Sequence, residues 1–310
     1  MEKVIIGMDL GGTKVSVALF DAGGSILEKE KVELGGANGE EVGDIIQILA
    51  GEFREKARAK KMEVKGIGIC VPGIAYQNGH VWAPNISGWE DYPLKEELES
   101  YFSGSLPVFI DNDRACHMLG EQWQGVAQGC QDAVFLVVGT GIGAGIFSAG
   151  QMIRGSHDIA GAIGWMGLNP NYQQVYQERG CFESHASGFG ITKRLLQLIH
   201  TGEKSMLEDK MVITTEDVFE AYSKEDPLAV KVINEAILYW GMAVANLVSL
   251  LNPEKIIFGG GVFGPAAILL NKIYDEAMRW SQPISIRQVK LEISKLQGDA
   301  GLYGAARLVK

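Results

Sequence analysis

Two short stretches of this chain have the make-up of a phosphate cradle. Gly11-Gly12-Thr13-Lys14 and Gly139-Thr140-Gly141-Ile142-Gly143 are glycine loops, each set between two apolar runs. Glycine lets successive backbone N–H groups turn to one side and form an anion-binding concavity, and threonine hydroxyls add donors. Either loop alone also reads as an ordinary hairpin turn; two at matching positions point to a ligand. The commoner nucleotide motifs do not fit. A strand rather than a helix follows residues 139–143, which excludes a dinucleotide fingerprint, and Gly7 to Lys14 lacks the Gly-Lys-Ser/Thr ending of a Walker loop. A third cluster, Gly259-Gly260-Gly261, ends the apolar run from Lys255 to Phe258. Open α/β sheets bind ligands at the carboxyl ends of their strands, so an adenine ring would lie there against bare backbone. A tight strand-to-helix turn explains the triplet equally well.

Carboxylates accompany these loops. Asp9 stands just before the first one. A carboxylate beside a phosphate cradle suits Mg²⁺, which takes few protein carboxylates and fills its shell with water and phosphate oxygens. A turn-stabilising Asp is the plainer alternative. Asp113 closes Asp111-Asn112-Asp113, after the strand from Pro107 to Ile110 and at the head of a helix. It is an N-cap by spacing, or a base that accepts the proton of an attacking hydroxyl. Phosphoryl transfer asks mainly for positioning and charge neutralisation, so one Asp with Mg²⁺ is sufficient chemistry. Asn85, Asn112 and Glu183 are candidates for hydrogen bonds to hydroxyls, although each alone also fits a turn or a surface.

The elements that would position these groups repeat. Strands run from Val4 to Asp9, Lys14 to Phe20 and Ser25 to Val32, with glycine turns between them. After a helix from about Gly39 to Lys60, a strand from Gly66 to Val71 and a short helix from Pro93 to Phe102, the opening pattern returns. Ala133 to Val138, Ala144 to Ser148 and Gln151 to Arg154 repeat strand, glycine loop, strand, turn, strand, roughly 130 residues on. The spacing predicts helices from Gly188 to His200, Pro227 to Leu251 and Gly298 to Val309. The expectation is a duplicated α/β fold with a central interdomain cleft: a small domain of residues 1–113 plus the C-terminal helix 298–310, and a larger one of 114–297.

Composition agrees with a packed protein. Of 310 residues, 46% are hydrophobic and 21% charged, which excludes a disordered chain. The formal net charge of −10 argues against a nucleic-acid partner. No signal peptide is visible at the start, and the apolar stretch from Ala236 to Leu251 falls short of the ~18–20 residues of a membrane span, so it reads as a core helix. The four cysteines lie far apart without a Cys-x-x-Cys, as expected of reduced thiols in a cytoplasmic protein.

These residues together resemble the ROK family of bacterial sugar kinases and regulators, within the actin/hexokinase/Hsp70 superfamily. Asp9-Leu10-Gly11-Gly12-Thr13-Lys14 and Gly139-Thr140-Gly141-Ile142-Gly143 match its two phosphate motifs. Pro84-Asn85-Ile86-Ser87-Gly88-Trp89 matches its sugar loop, Asn112-Asp113 its base segment, and Pro253 to Gly261 its adenosine motif. The resemblance implies an actin-like ATPase fold (a duplicated ribonuclease H-like unit) and a Mg²⁺- and ATP-dependent transfer to a sugar hydroxyl. It makes Asp113 the base and Gly73, Asn85, Asn112 and Glu183 sugar contacts. Asp9 holds the metal, directly or through water. Gly11, Gly12, Thr13, Lys14, Gly139, Thr140, Gly141, Gly259, Gly260 and Gly261 hold the nucleotide. It also implies a homodimer.

Two motifs depart from the family. Where its members have Gly-Glu-x-Gly-His, this chain has Gly161-Ala162-Ile163-Gly164-Trp165. Where they have a cysteine-rich zinc motif, it has Gln174 through Gly180 and a lone Cys181. One thiolate does not make a four-coordinate site, so no zinc is expected. Each lost hydrogen bond to a sugar costs about 1–3 kcal/mol, so glucose should bind poorly and the acceptor should differ. The reading is a kinase of a sugar or sugar-like polyol. The alternative is a non-catalytic sugar-binding or regulatory ROK protein; a DNA-binding domain ahead of the first phosphate loop does not fit eight preceding residues.

Overall fold

The structure, a computed structural model, describes residues 1–309; Lys310, expected in the C-terminal helix, lies outside the described residues. The chain divides into two compact units, one of 1–129, 152–160 and 295 onward, the other of 130–151 and 161–294.

In the first unit, β1 (Glu2–Leu10), β2 (Lys14–Asp21) and β3 (Ile26–Glu33) form a meander. Helix α1 (Glu40–Ala59) leads to β4 (Met62–Val71) and to a small hairpin of β5 (Ile74–Ala75) and β6 (Val81–Trp82). Helix α2 (Leu94–Tyr101), β7 (Val108–Asn112) and α3 (Asp113–Gln124) follow. The sheet order is β3-β2-β1-β4-β7, with β1, β4 and β7 parallel. Alternation places Val4, Ile6, Met8 and Leu10 in a core with Val42, Ile46, Leu49 and Phe53 of α1. Register aligns Asp9 with Cys70 and Cys70 with Asp111, so the carboxyl ends of the three parallel strands carry chemistry in one row.

The second unit opens with β8 (Ala133–Val138), β9 (Ile142–Ser148) and β10 (Gln151–Met152). It continues with α4 (Tyr176–Arg179), α5 (Cys181–Ala186), α6 (Gly188–His200), α7 (Thr215–Ser223) and α8 (Pro227–Leu251). Strand β11 (Lys255–Gly259), α9 (Leu270–Trp280) and β12 (Lys290–Ile293) complete it, and α10 (Ala300–Leu308) returns to the first unit. The sheet order is β10-β9-β8-β11-β12, with β8, β11 and β12 parallel, which repeats the first sheet strand for strand. Helix α8 is long and apolar enough to span a membrane on length and composition. Its Ile233, Ala236, Trp240, Val244 and Val248 are buried in the core of this unit against Leu136, Ile256 and Phe258, which makes it a core helix.

Helix α3, which opens at Asp113, groups with the first unit, where it packs against α10. One expectation differs from this structure. The strand expected from Gln151 to Arg154 stops at Met152, because Arg154 turns its guanidinium to Asp111 and residues 152–160 join the first unit.

Candidate active site

The base segment forms at a strand end. Asn112 is the last residue of β7 and the N-cap of α3: its Oδ1 accepts the Ala115 N–H at 3.0 Å. That bond satisfies one of the orphan donors of a helix start and brings Asp113 into the first turn. Asp113 is half-buried, and its Oδ1 accepts the Arg114 N–H at 2.8 Å. The Arg114 guanidinium reaches the Gly73 carbonyl at 3.2 Å. Gly73 has a φ of 85°, and a Cβ there would stand 2.1 Å from the Trp82 carbonyl oxygen. Only glycine fits that turn.

Asp9, half-buried near the end of β1, lies against the first turn of α10, where a Cβ on Gly301 would come 2.8 Å from its Oδ2. Burial raises its carboxyl above the ordinary range, His117 counters this, and Asp113 pushes it up further. A carboxylate whose charge is poorly hydrated gains from a hard cation, so this donor fits Mg²⁺. In the first loop the Gly11 N–H closes the hairpin on the Lys14 carbonyl at 2.8 Å, and Gly12 and Thr13 are exposed. Asn85, also exposed, sets its amide against Gly12, where a Cβ would lie 2.9 Å from Nδ2. Lys14 is exposed, and its ammonium crowds that of Lys31 enough to push the latter's pKa down.

In the second unit two sequence motifs about 120 residues apart converge on one cavity. It measures about 370 Å³ and is walled by Gly139, Thr140, Gly188, Thr192, Thr215 and Gly261, among others. The loop closes with the Gly139 N–H on the Gly141 carbonyl at 2.9 Å, and the Gly188 N–H, at the start of α6, bonds the Gly139 carbonyl at 2.8 Å. The glycines of the triplet differ in what requires them. A Cβ on Gly259 would meet the Phe135 ring at 2.4 Å, and one on Gly260, at a φ of 88°, the Val138 carbonyl at 2.4 Å. Gly261 and Gly139 have nothing within 4 Å of that position. The protein does not need those two glycines for its own packing; they leave the cavity wall bare, which is the shape a ligand would fill.

Glu183 does more than the sequence implied. Its Oε2 accepts the Ile142 N–H at 2.8 Å, so it braces the second glycine loop. Burial raises its pKa, while the Ile142 amide and Arg179 oppose the rise. Ala162 is half-buried, and Trp165 is 55% exposed. The stretch in place of the zinc motif holds aromatic and polar groups: the Tyr176 hydroxyl lies 2.6 Å from His185 Nε2, and His185 stacks on Tyr239 at 4.2 Å. Among the described residues no three of His, Cys, Asp and Glu gather as metal ligands.

Sequence reasoning passed over Gly188, Thr192, Thr214 and Thr215. The Thr214–Asp217 capping box announces a helix start but not what that start faces. It also passed over Asp111 as a buried group. Asp111 is 2% exposed, and burial outweighs Arg154 to hold its pKa at about 6. Its ordinary value is 3.8, so the folded state binds this proton more tightly than the unfolded one. This contribution to stability is present in full below about pH 4 and is lost as pH rises to about 6. Asp111→Asn, which cannot ionise, should therefore gain stability relative to the parent across that window. Melting curves of both proteins at successive pH values check this; parallel curves would refute it.

Comparison with known proteins bears on the family and the fold. The ROK family profile matches residues 5–310. The glucokinase of Halalkalibacterium halodurans is 33% identical over 98% of this chain and 94% of its own. A crystal structure of a ROK family glucokinase from Streptomyces griseus, in complex with glucose and AMPPNP, superposes with a TM-score of 0.78 at 29% identity, covering 98% of each chain. A ROK family transcriptional regulator, a homolog of the E. coli MLC protein, superposes at 0.88 with 29% identity, covering 100% of this chain and 78% of its own. With the duplicated sheets and the motifs at their strand ends, these matches establish that the chain belongs to the ROK family and has the actin-like ATPase fold of its members.

Proposed function

We propose that this protein is an ATP-dependent kinase that transfers a phosphoryl group to a hydroxyl of a sugar or sugar-like polyol. The observation that carries the reading is the bare-walled cavity of about 370 Å³ on which the second glycine loop and the glycine triplet converge. Backbone N–H groups, threonine hydroxyls and missing side chains suit a nucleotide better than they suit packing. In this reading Gly11, Gly12, Thr13 and Lys14 bind phosphate, as do Gly139, Thr140 and Gly141, and Gly259 to Gly261 take the adenosine. Asp113 accepts the proton of the attacking hydroxyl. Gly73, Asn85, Asn112 and the second oxygen of Glu183 hold the sugar. Mg²⁺ held at Asp9 would neutralise charge on the transferring phosphates. A homodimer goes with the family reading.

The acceptor is the part where this chain parts from glucose kinases. Ala162 and Trp165 offer no acceptor of hydrogen bonds to a sugar, while an aromatic ring favours a less polar face. ADP release measured against hexoses, amino sugars and cyclitols tests the function: turnover with at least one of them, and weak turnover with glucose, is expected. Binding of ATP and sugar without phosphorylation of any would favour the sugar-sensing alternative, which the likeness to a regulator keeps in view.

The bare wall makes a sharper prediction. Gly261→Val should leave the melting temperature close to the parental value, since no described atom beyond its chain neighbours lies within 4 Å of the added Cβ, and raise the KM for ATP about tenfold or more. A variant with parental ATP kinetics would remove the cavity from the reading.

A further inference from the structure

We infer that Arg154 and Asp111 form a positioning pair for the base, fixing the turn at Asn112 from which Asp113 projects. The inference rests on the reading of Asp113 as that base. Asp111 Oδ1 accepts the Asn112 N–H at 2.7 Å and the Asn112 side-chain Nδ2–H at 3.2 Å. Asn112 in turn caps α3 through its Oδ1, so the orientation of the whole first turn depends on the Asp111 carboxylate. The other oxygen, Oδ2, is held by the Arg154 guanidinium. Arg154 comes from residues 152–160, far along the chain yet part of the first unit, and its guanidinium also lies 3.5 Å from the buried Asp158. The segment folds back on itself where the Ala160 N–H bonds the Arg154 carbonyl at 3.0 Å.

The electrostatics give the pair its purpose. A buried ion pair adds little net stability, because desolvation offsets the attraction; its effect is to fix direction. Two cations face Asp111, Arg154 from this segment and Arg114 from α3, with Asp158 as the opposing charge. Arg114 is already committed next to Asp113, its Nε 3.9 Å from Asp113 Oδ1 and its guanidinium on Gly73. Without Arg154, the uncompensated Asp111 would draw Arg114 away from Asp113 and Gly73 and rotate the base. Raised only to about 6, the Asp111 carboxyl is ionised at neutral pH, where the pair is needed.

The test is steady-state kinetics with an acceptor that the parent phosphorylates, together with melting curves. Arg154→Met should lower kcat about 30-fold or more while the KM for ATP stays within about threefold, and Arg154→Lys, which restores the charge, should recover most of the loss. Arg154→Gln, a second uncharged variant in case the first does not fold, should lose at least about tenfold in kcat. A parental kcat in either uncharged variant, no recovery with lysine, or an ATP KM that rises in step with the fall in kcat overturns the positioning role alone. A parent that phosphorylates no acceptor overturns the kinase reading and this inference with it.

Discussion

Asp113→Asn is expected to lower kcat about 10³-fold while ATP affinity and melting temperature stay at parental values. The amide has the shape of the carboxylate, and its oxygen can still accept the Arg114 N–H, so the first turn of α3 keeps its geometry. The cap on Asn112 is untouched. What is lost is the site that receives the hydroxyl proton. General base catalysis is worth about 10²–10⁴, and the loose transition state of phosphoryl transfer sets no larger demand on the base. A loss under about tenfold would therefore assign the proton to another acceptor. ADP release at saturating substrates gives kcat, and titration calorimetry with ATP shows whether the binding half of the machinery is intact.

The duplicated hairpins, α6 and α8 are legible in the sequence because their signals are local. Glycine turns between alternating runs mark β1 to β3 and β8 to β9, and α8 carries a cap at Asp226, a proline in its first turn and an apolar face. Strand β12 is not legible: Lys290-Leu291-Glu292-Ile293 is four residues at a sheet edge, and it becomes a strand only by pairing with β11. Helix α9 does carry a helical period, with Leu270, Ile273, Tyr274 and Ala277 on one face and Lys272, Asp275 and Arg279 off it, and sequence reasoning passed it over. The site divides in the same way. The glycine loops and Asp9 beside the first of them can be singled out from spacing, because a backbone approach to a ligand leaves a glycine signature. Spacing alone makes Asp113 an N-cap, and its reading as the base comes from the family resemblance. Glu183 bracing Ile142, and Arg154 holding Asp111, join residues about 40 apart that no local pattern links. Such contacts are products of topology, and the same topology gives the glycine residues of α10 a meaning that composition alone does not.

Gly304→Ala should be strongly destabilising, lowering the melting temperature by roughly 6–12 °C. In an exposed helix interior the same change stabilises by about 1 kcal/mol, so the sign depends on what the new methyl meets. At Gly304 it meets backbone: a Cβ would stand 1.8 Å from the Cys116 carbonyl oxygen and 2.4 Å from its carbon. The contact is matched from the other side, where a Cβ on Gly120 of α3 would lie 2.3 Å from the Ala300 carbonyl. No side chain can rotate out of the way, so α3 and α10 must separate. That separation also loosens Leu302 and Ala306 from Phe20, and Ala305 from Cys70 and Cys116. Overpacking costs about 1–3 kcal/mol and occasionally more, and a methyl forced against fixed backbone lies at the upper end, which exceeds the helix-propensity gain. The effect reaches the chemistry, because α3 opens with Asp113 and the Asp9 carboxylate rests on Gly301 of α10. The variant should thus lose kcat below its melting temperature as well as stability. Gly298→Ala, just before α10 and with nothing within 4 Å of the added methyl, is the matched control and should melt like the parent. Equal melting of Gly304→Ala and Gly298→Ala would mean that the two helices do not meet through their backbones, and the shared support of Asp9 and Asp113 would go with that contact.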